Sequence, residues 1–419
     1  DFVQGGDDTI QTDRGRLAVD IVTGDDVVIG GLGDDTISIG SGNNIALGDE
    51  GRVTFQVGSG IRDRIRSQYL DGDGLSVLDS SAAVVGNDDI TAGAGSDVII
   101  GGLGSGTLAG ATGDNIVLGD EGFVQYQDQF VTRGVSLLYE VSSLYLDNPV
   151  ARATVRTLQG GSETITTGGG DDIVIAGLGN DIVHASNGTN IVLGDEGGIT
   201  YQTGTDLRYR ITSRYLNWTG YAAVDATDAQ AGNDRISAGT GSDVLIGGLG
   251  TETIMAGDGD NIVFGDEGFI LYQDQRDTAN ASVLDEVSGL LLEPAERLVQ
   301  GGNERIRTGV GADIVIAGLG DDTINASDGD NIVFGDDGAI TYQLTTGLRD
   351  RIGSRYLNGS GDSSVLAVET AAGDDVITTG TGSDVTIGGL GSETIDVSDG
   401  VNIVIGDEGK IHYQNQLSD

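Results

Sequence analysis

Thr167-Gly168-Gly169-Gly170-Asp171-Asp172-Ile173-Val174-Ile175 runs without a break into Ala176-Gly177-Leu178-Gly179-Asn180-Asp181-Ile182-Val183-His184 and then Ala185-Ser186-Asn187-Gly188-Thr189-Asn190-Ile191-Val192-Leu193. Each unit places glycine fourth, an acid or amide sixth (Asp172, Asp181, Asn190) and valine eighth, so the register never slips. Nine residues at this spacing divide into a glycine-rich turn of six and a strand of three. Two such units close one flattened coil of parallel strands.

The same block recurs six times, and each copy closes with Gly-Asp-Glu-Gly, or Gly-Asp-Asp-Gly at Gly335, at spacings of 71, 75, 71, 70 and 71 residues. The expected division is blocks at 3–56, 83–127, 158–202, 229–273, 299–343 and 370–414, with linkers between them. Linkers 57–82, 203–228 and 344–369 are arginine-rich, 128–157 and 274–298 are acidic and apolar, and 415–419 opens another. Gln4-Gly5-Gly6 matches Gln159-Gly160-Gly161, and Tyr413-Gln414 copies Tyr126-Gln127, so the chain reads as a segment of a longer array.

Each linker holds an ungapped ten-residue match, Leu207 to Leu216 in one type and Leu137 to Leu146 in the other, differing mainly at the second, fourth and eighth places. Even positions share one side of a strand and scatter around a helix, so a strand is favoured. Leu137, Leu138, Val141, Leu144 and Tyr145 also fit a helical stripe. Arg64, Arg210 and Arg351 stand where Glu140 and Glu286 stand in the other type, which suggests either unlike linkers lying side by side and pairing charges, within the chain or between chains, or plain solvated surface charge.

Gly30-Gly31-Leu32-Gly33-Asp34-Asp35-Thr36-Ile37 and Gly101-Gly102-Leu103-Gly104 resemble the repeats-in-toxin (RTX) family of calcium-binding nonapeptide repeats, and six blocks carry the resemblance. It implies an all-β fold, a right-handed parallel β-roll or β-solenoid of tandem nonapeptide blocks with β-rich linkers between them. It also implies type I secretion, with folding in extracellular calcium. Composition agrees: 73 of 419 residues are glycine and 2 are proline, as tight turns between fully hydrogen-bonded strands require. Cysteine is absent, which excludes disulfides and thiolate sites.

In such a roll, alternate turns stack about 4.8 Å apart on one edge, and their sixth-position side chains form two ladders. One edge offers Asp then Asn: Asp26 and Asn44, Asp97 and Asn115, Asp172 and Asn190, Asp243 and Asn261, Asp313 and Asn331, Asp384 and Asn402. The other offers Glu163 and Asp181, Asp234 and Glu252, Glu304 and Asp322, Asp375 and Glu393, with Asp35 and Asp88 in the first two blocks. Gly106 interrupts it in the second block. Two carboxylates at that spacing repel by roughly 3 kcal/mol at an effective dielectric near 20. Calcium fits this oxygen-rich set, since magnesium demands a strict octahedron and zinc prefers histidine or cysteine, here only His184 and His412. The Asn edge carries less charge and is open to bridging by hydrogen bonds alone.

Ile173 and Ile175, Ile191 and Leu193, Ile314 and Ile316, Ile332 and Phe334 flank the inward eighth positions of the second and fourth turns. One sheet is therefore apolar on both faces and needs cover, either from the linkers or from neighbouring copies. Leu32, Leu103, Leu178, Leu249, Leu319 and Leu390 recur at one turn of every block as further packing points.

The formal charge is −45, from 66 acids against 20 arginines and Lys410, which disfavours nucleic acid and anionic membrane as partners. No apolar run approaches a membrane span. No catalytic triad, HExxH or phosphate loop is present, Asp71-Gly72-Asp73-Gly74 misses EF-hand spacing, and Asn217-Trp218-Thr219 is a bare glycosylation triplet. The expectation is a non-enzymatic, calcium-stabilised segment of a large secreted or surface protein, self-associating into a fibre, sheath or adhesin stalk. The alternatives are an RTX carrier region for an exported enzyme or toxin, and an ice-binding solenoid. The last is disfavoured by the uneven row Thr23, Ala94, Gly169, Thr240, Val310 and Thr381.

Overall fold

The structure, a computed structural model, describes residues 9–11, 24–31, 33–57, 61–67, 86–127, 136–143, 161–213, 232–274, 282–289, 302–344, 346–354 and 373–413. Leu32 and the Asn217-Trp218-Thr219 and Asp71–Gly74 stretches lie outside them. Every regular element among the described residues is a β-strand, as an all-β roll requires. The chain divides into two compact units, residues 1–198 and 199–419.

In the first unit, one parallel sheet (sheet A) runs Thr9–Gln11, Thr36–Ser38, Asp89–Thr91, Thr107–Ala109, Thr164–Thr166 and Ile182–His184. A second (sheet B) runs Val27–Ile29, Ile45–Leu47, Val98–Ile100, Ile116–Leu118, Ile173–Ile175 and Ile191–Leu193. Successive nonapeptides thus supply the two sheets alternately, and Ile173, Val174 and Ile175 face Ile191, Val192 and Leu193 in register. Ile116–Leu118 pairs with Ile173–Ile175, so the coil resumes without a slip after an intervening linker. The second unit repeats the plan from Arg235–Ser237 to Thr394–Val397 in sheet A and from Val244–Ile246 to Ile403–Ile405 in sheet B.

Eighth-position side chains from both sheets meet in a narrow core: Ile90, Ile99, Leu108, Val117, Ile165, Val174, Val183 and Val192 are all sealed from solvent. Burying an aliphatic side chain of this size contributes about 1.5–3 kcal/mol. Sheet B is buried on its other face as well, at Leu47, Ile100, Leu118, Ile175, Leu193, Phe264, Ile316 and Phe334. Sheet A exposes its seventh-position residues, among them Thr36, Asp89, Thr107 and Ile182.

The linkers provide cover. Residues after each block-closing motif form a strand that pairs antiparallel with a linker strand, giving a third sheet (sheet C): in the first unit, Gly51–Phe55, Arg62–Ser67, Gly122–Tyr126 and Leu138–Ser143. The second unit supplies Arg208–Ser213, Gly268–Tyr272, Leu284–Gly289, Gly338–Tyr342, Arg349–Ser354 and Lys410–His412. The ten-residue linker matches are therefore strands over their described part. Sheet C lies on sheet B through glycine: a Cβ on Gly122 would fall on the Leu118 side chain, and one on Gly268 or Gly338 on the Phe264 or Phe334 ring. Ile65, Val124 and Val141 form one buried row of sheet C, and Ile211, Ile270, Val287, Ile340 and Ile352 another.

Unlike linkers share this sheet, with a block strand between them. Gln125 stands between Arg64 and Glu140. In the second unit the row reads Arg210, Leu271, Glu286, Thr341, Arg351. Because each linker strand pairs with block strands on both sides, its charges alternate in sign two strands apart, and the Glu140 carboxylate is among the charges acting on Arg64. Arg64 also lies over the Phe123 ring, 4.6 Å from its centroid, and Arg210 over Phe269 at 5.5 Å.

Gly268→Ala is expected to cost about 1–3 kcal/mol by overpacking against Phe264, read as a lower unfolding midpoint. An unchanged midpoint would contradict the close approach of sheet C to sheet B.

Candidate metal centre

The two sixth-position ladders form as expected, and both are buried, apart from half-buried Asp26, Glu393 and Asn402. On the Asp–Asn edge each turn accepts the backbone N–H of its neighbour. Asp26 N–H donates to Asn44 Oδ1 at 3.1 Å, Asn44 N–H to Asp97 Oδ1 at 2.8 Å, Asp97 N–H to Asn115 Oδ1 at 3.1 Å, and Asn115 N–H to Asp172 Oδ1 at 2.8 Å. The second unit continues the pattern through Asp243, Asn261, Asp313, Asn331, Asp384 and Asn402. Each asparagine amide also works inward: Asn115 Nδ2 donates to the Ala111 and Gly113 carbonyls and to Asp172 Oδ1, at 3.0, 2.9 and 3.1 Å. Asn261 and Asn331 do the same. The amide thus engages the turn carbonyls and neighbouring carboxylate that a cation would also seek.

The acidic edge has no such amide. Asp35 N–H donates to Asp88 Oδ1 at 2.8 Å, Glu163 N–H to Asp181 Oδ1 at 2.7 Å, Glu304 N–H to Asp322 Oδ1 at 2.8 Å and Asp322 N–H to Asp375 Oδ1 at 2.9 Å. That uses one oxygen of each aspartate. Oδ2 of Asp88, Asp322 and Asp375 and both carboxylate oxygens of Glu304 are buried and accept no hydrogen bond.

A further set of carboxylates, missed by reading the nonapeptide alone, joins this edge. In four of the blocks the aspartate of the closing motif turns in beneath the next block, at the turn carrying the recurrent leucine. Asp49 Oδ2 accepts from Leu103 N–H, Asp120 Oδ2 from Leu178 N–H and Asp266 Oδ2 from Leu319 N–H, each at 2.7 Å, and Asp336 Oδ2 from Leu390 N–H at 2.5 Å. The glycine before each leucine makes room. Gly102 has φ +107 and a Cβ there would lie 2.5 Å from Asp49 Oδ2. The recurrence of Gly-Asp-Glu-Gly, or Gly-Asp-Asp-Gly at Gly335, at the block ends was the available signal; its depth in the fold depends on how the coil closes. In the second unit, ligand atoms of Glu252, Asp266 and Glu304 all lie within 4.8 Å of one another, and all three residues are buried.

Burial dominates the electrostatics. It pushes Asp49 up to about 9, helped by the Asp88 and Glu121 carboxylates, and Asp336 up to about 9, helped by Asp375 and Asp337. Asp88 and Asp375 rise to about 7 for the same first reason. Asp120, Asp266, Asp322 and Glu304 are also raised, by burial first and then by neighbouring carboxylates. Without a cation, this edge favours protonated acids.

Matches to the RTX calcium-binding nonapeptide repeat (4 copies) fall at residues 22–60, 85–108, 159–197, 228–263, 246–268, 300–339 and 368–395, together about half of the chain. The chain belongs to this RTX family. Its nonapeptides are calcium-binding motifs and its fold is the parallel β-roll of stacked repeats. No curated protein matches the chain. The donor set fits the ion: hard carboxylate oxygens, several of them buried without a hydrogen-bond donor, are what Ca2+ accepts.

A carboxylate whose folded-state pKa is raised binds protons that the unfolded chain has released, so its contribution to stability falls as pH climbs from about 4 toward the raised value. For Asp49, Asp88, Asp336 and Asp375 that window ends between about 7 and about 9. In chelator, the far-ultraviolet circular dichroism of the chain is expected to show more β structure at pH 5 than at pH 8, and calcium to remove the difference. Equal or inverted signals in chelator would refute this account of the acidic edge.

Proposed function

We propose that this RTX chain is a calcium-stabilised structural segment of a large secreted or cell-surface protein, working mechanically as part of a fibre, sheath or adhesin stalk. The observation that carries the reading is the buried acidic edge, where Asp88, Asp322, Asp375 and Glu304 hold oxygens with no hydrogen-bond donor. A chain built this way folds fully only where divalent cation is plentiful. Extracellular calcium is millimolar and matches the affinity of extracellular modules, Kd about 10⁻⁴ to 10⁻³ M.

Calcium belongs first on the acidic edge, at Asp35, Asp88, Glu163, Asp181, Asp234, Glu252, Glu304, Asp322, Asp375 and Glu393. The Asp–Asn edge is partly bridged by amides, which reach one oxygen of an aspartate, and the buried Oδ2 of Asp97 leaves that edge open to a more weakly held ion. A mechanical role follows from repetition: block, hairpin and block recur with the same contacts, and the described chemistry-bearing side chains are absorbed in holding turns together. Apolar side chains left exposed at intervals, including Phe55, Tyr139, Tyr209 and Met255, offer small contact points for other copies.

Two measurements test the reading. Chelation is expected to abolish most of the β signal at neutral pH, since binding and folding are coupled. Electron microscopy and sedimentation of the calcium-loaded chain are expected to show end-to-end or lateral association that chelator reverses. A chain equally folded with and without chelator refutes the calcium dependence, and a strictly monomeric calcium-loaded chain refutes the self-association.

A further inference from the structure

The acidic edge changes character from one block junction to the next. Where an arginine-type linker joins two blocks, the stacked sixth positions are both aspartate: Asp35 over Asp88, with Asp49 beside them, and Asp322 over Asp375, with Asp336 beside them. In these junctions the upper aspartate spends Oδ1 on a backbone N–H, Asp88 on Asp35 and Asp375 on Asp322. The acidic-apolar linker at 274–298 joins blocks whose stacked residues are both glutamate, Glu252 and Glu304, with Asp266 as the motif aspartate.

The extra methylene changes what the side chain can reach. Glu304 is 1% exposed, and neither of its carboxylate oxygens accepts a hydrogen bond. Asp266, also 1% exposed, uses Oδ2 on Leu319 N–H and leaves Oδ1 buried without a donor. The glutamate stems run over glycine: a Cβ on Gly247 would come within 2.8 Å of Glu252 Cγ, and one on Gly265 within 2.8 Å of Glu304 Cγ. Two oxygens on opposite sides of one calcium, each bound at about 2.4 Å, are about 4.8 Å apart. The ligand atoms of Glu252, Asp266 and Glu304 lie within 4.8 Å of one another, as one shared ion requires.

We infer that Glu252, Asp266 and Glu304 form a dedicated site for one calcium-sized divalent cation, built by the block-closing motif rather than by the nonapeptide alone. The inference rests on the calcium reading above and adds to it a second class of site. Its ligands come from the last turn-pair of one block, that block's closing motif and the first turn of the next, so the ion clamps the junction. The equivalent junction in the first unit carries Gly106 in place of Glu252, beside Asp120 and Glu163. That junction lacks one of the three carboxylates.

The test counts calcium bound to the whole chain by equilibrium dialysis in the wild type, in the near-isosteric double variant E252Q/E304Q, and in the exposed control D396N. The double variant is expected to bind at least one calcium fewer per chain, and the control the full number. An undiminished count in a folded double variant overturns the site while leaving the calcium reading intact; a wild-type chain that binds no calcium overturns both. Should the double variant fail to fold, long-wavelength anomalous diffraction from wild-type crystals grown in calcium chloride decides. A peak among the three carboxylates is expected, and peaks elsewhere with none there overturn the site.

Discussion

The whole architecture depends on neutralising carboxylates that the coil itself buries. A roll only two short strands wide has no deep interior, and its aliphatic stripe of Val, Ile and Leu is flanked on each edge by a stacked row of acids or amides. Closing the coil brings those rows out of water whether or not their charge is balanced, and a buried ion without a counter-charge is among the costliest features a fold can carry. With a formal charge of −45, long-range repulsion adds to the local problem. Hydrophobic burial selects the shape, and cation binding determines whether that shape is stable.

The two edges answer the same problem differently. On one, an asparagine at every second turn acts as a built-in donor, its amide satisfying two carbonyls and a carboxylate while its own oxygen accepts a backbone N–H. That edge forms a hydrogen-bonded spine within each unit, although Oδ2 of Asp97 still lacks a donor. An outer row at the fifth positions does similar work in solvent, as where Asp171 N–H donates to Asp114 and Thr189 N–H donates to Asp171. On the acidic edge the same backbone spine exists, but no amide is present and Oδ2 of Asp88, Asp322 and Asp375 is buried without a donor. The two edges thus differ in how many of their buried carboxylate oxygens meet an amide donor.

Much of this was legible in the sequence because a nine-residue period leaves little freedom. Once Asp172, Asp181 and Asn190 are aligned, strand positions, inward residues and edge ladders follow, and the apolar neighbours Ile173 and Ile175 already announced a sheet needing cover. What stayed hidden depends on how turns meet in space. Asp49, Asp120, Asp266 and Asp336 lie outside the nonapeptide phase, so their descent beneath the next block's leucine turn cannot be read from the period. Arg64 and Glu140 align in sequence comparison, yet the strand carrying Gln125 comes between them, because the residues after each motif prefer the free edge of the linker strand on either side.

The block-closing motif explains why coil and hairpin cannot be treated as separate modules. Its aspartate reaches forward to hold a backbone N–H of the next block, as Asp49 does at Leu103. Its glutamate faces the hairpin: Glu121 is pushed up to about 7 by burial and held down by the Ser67 hydroxyl and Arg66 guanidinium. Ser67 also exchanges hydrogen bonds with Gly122, the first residue of the covering strand. Two adjacent acids thus tie the turn of one block to the core of the next and to the sheet that shields both. In a linear repeat, stability is set by the interfaces between neighbours more than by each repeat alone. Here those interfaces contain buried carboxylates, so the joints between blocks are where ion binding has its greatest leverage over the fold.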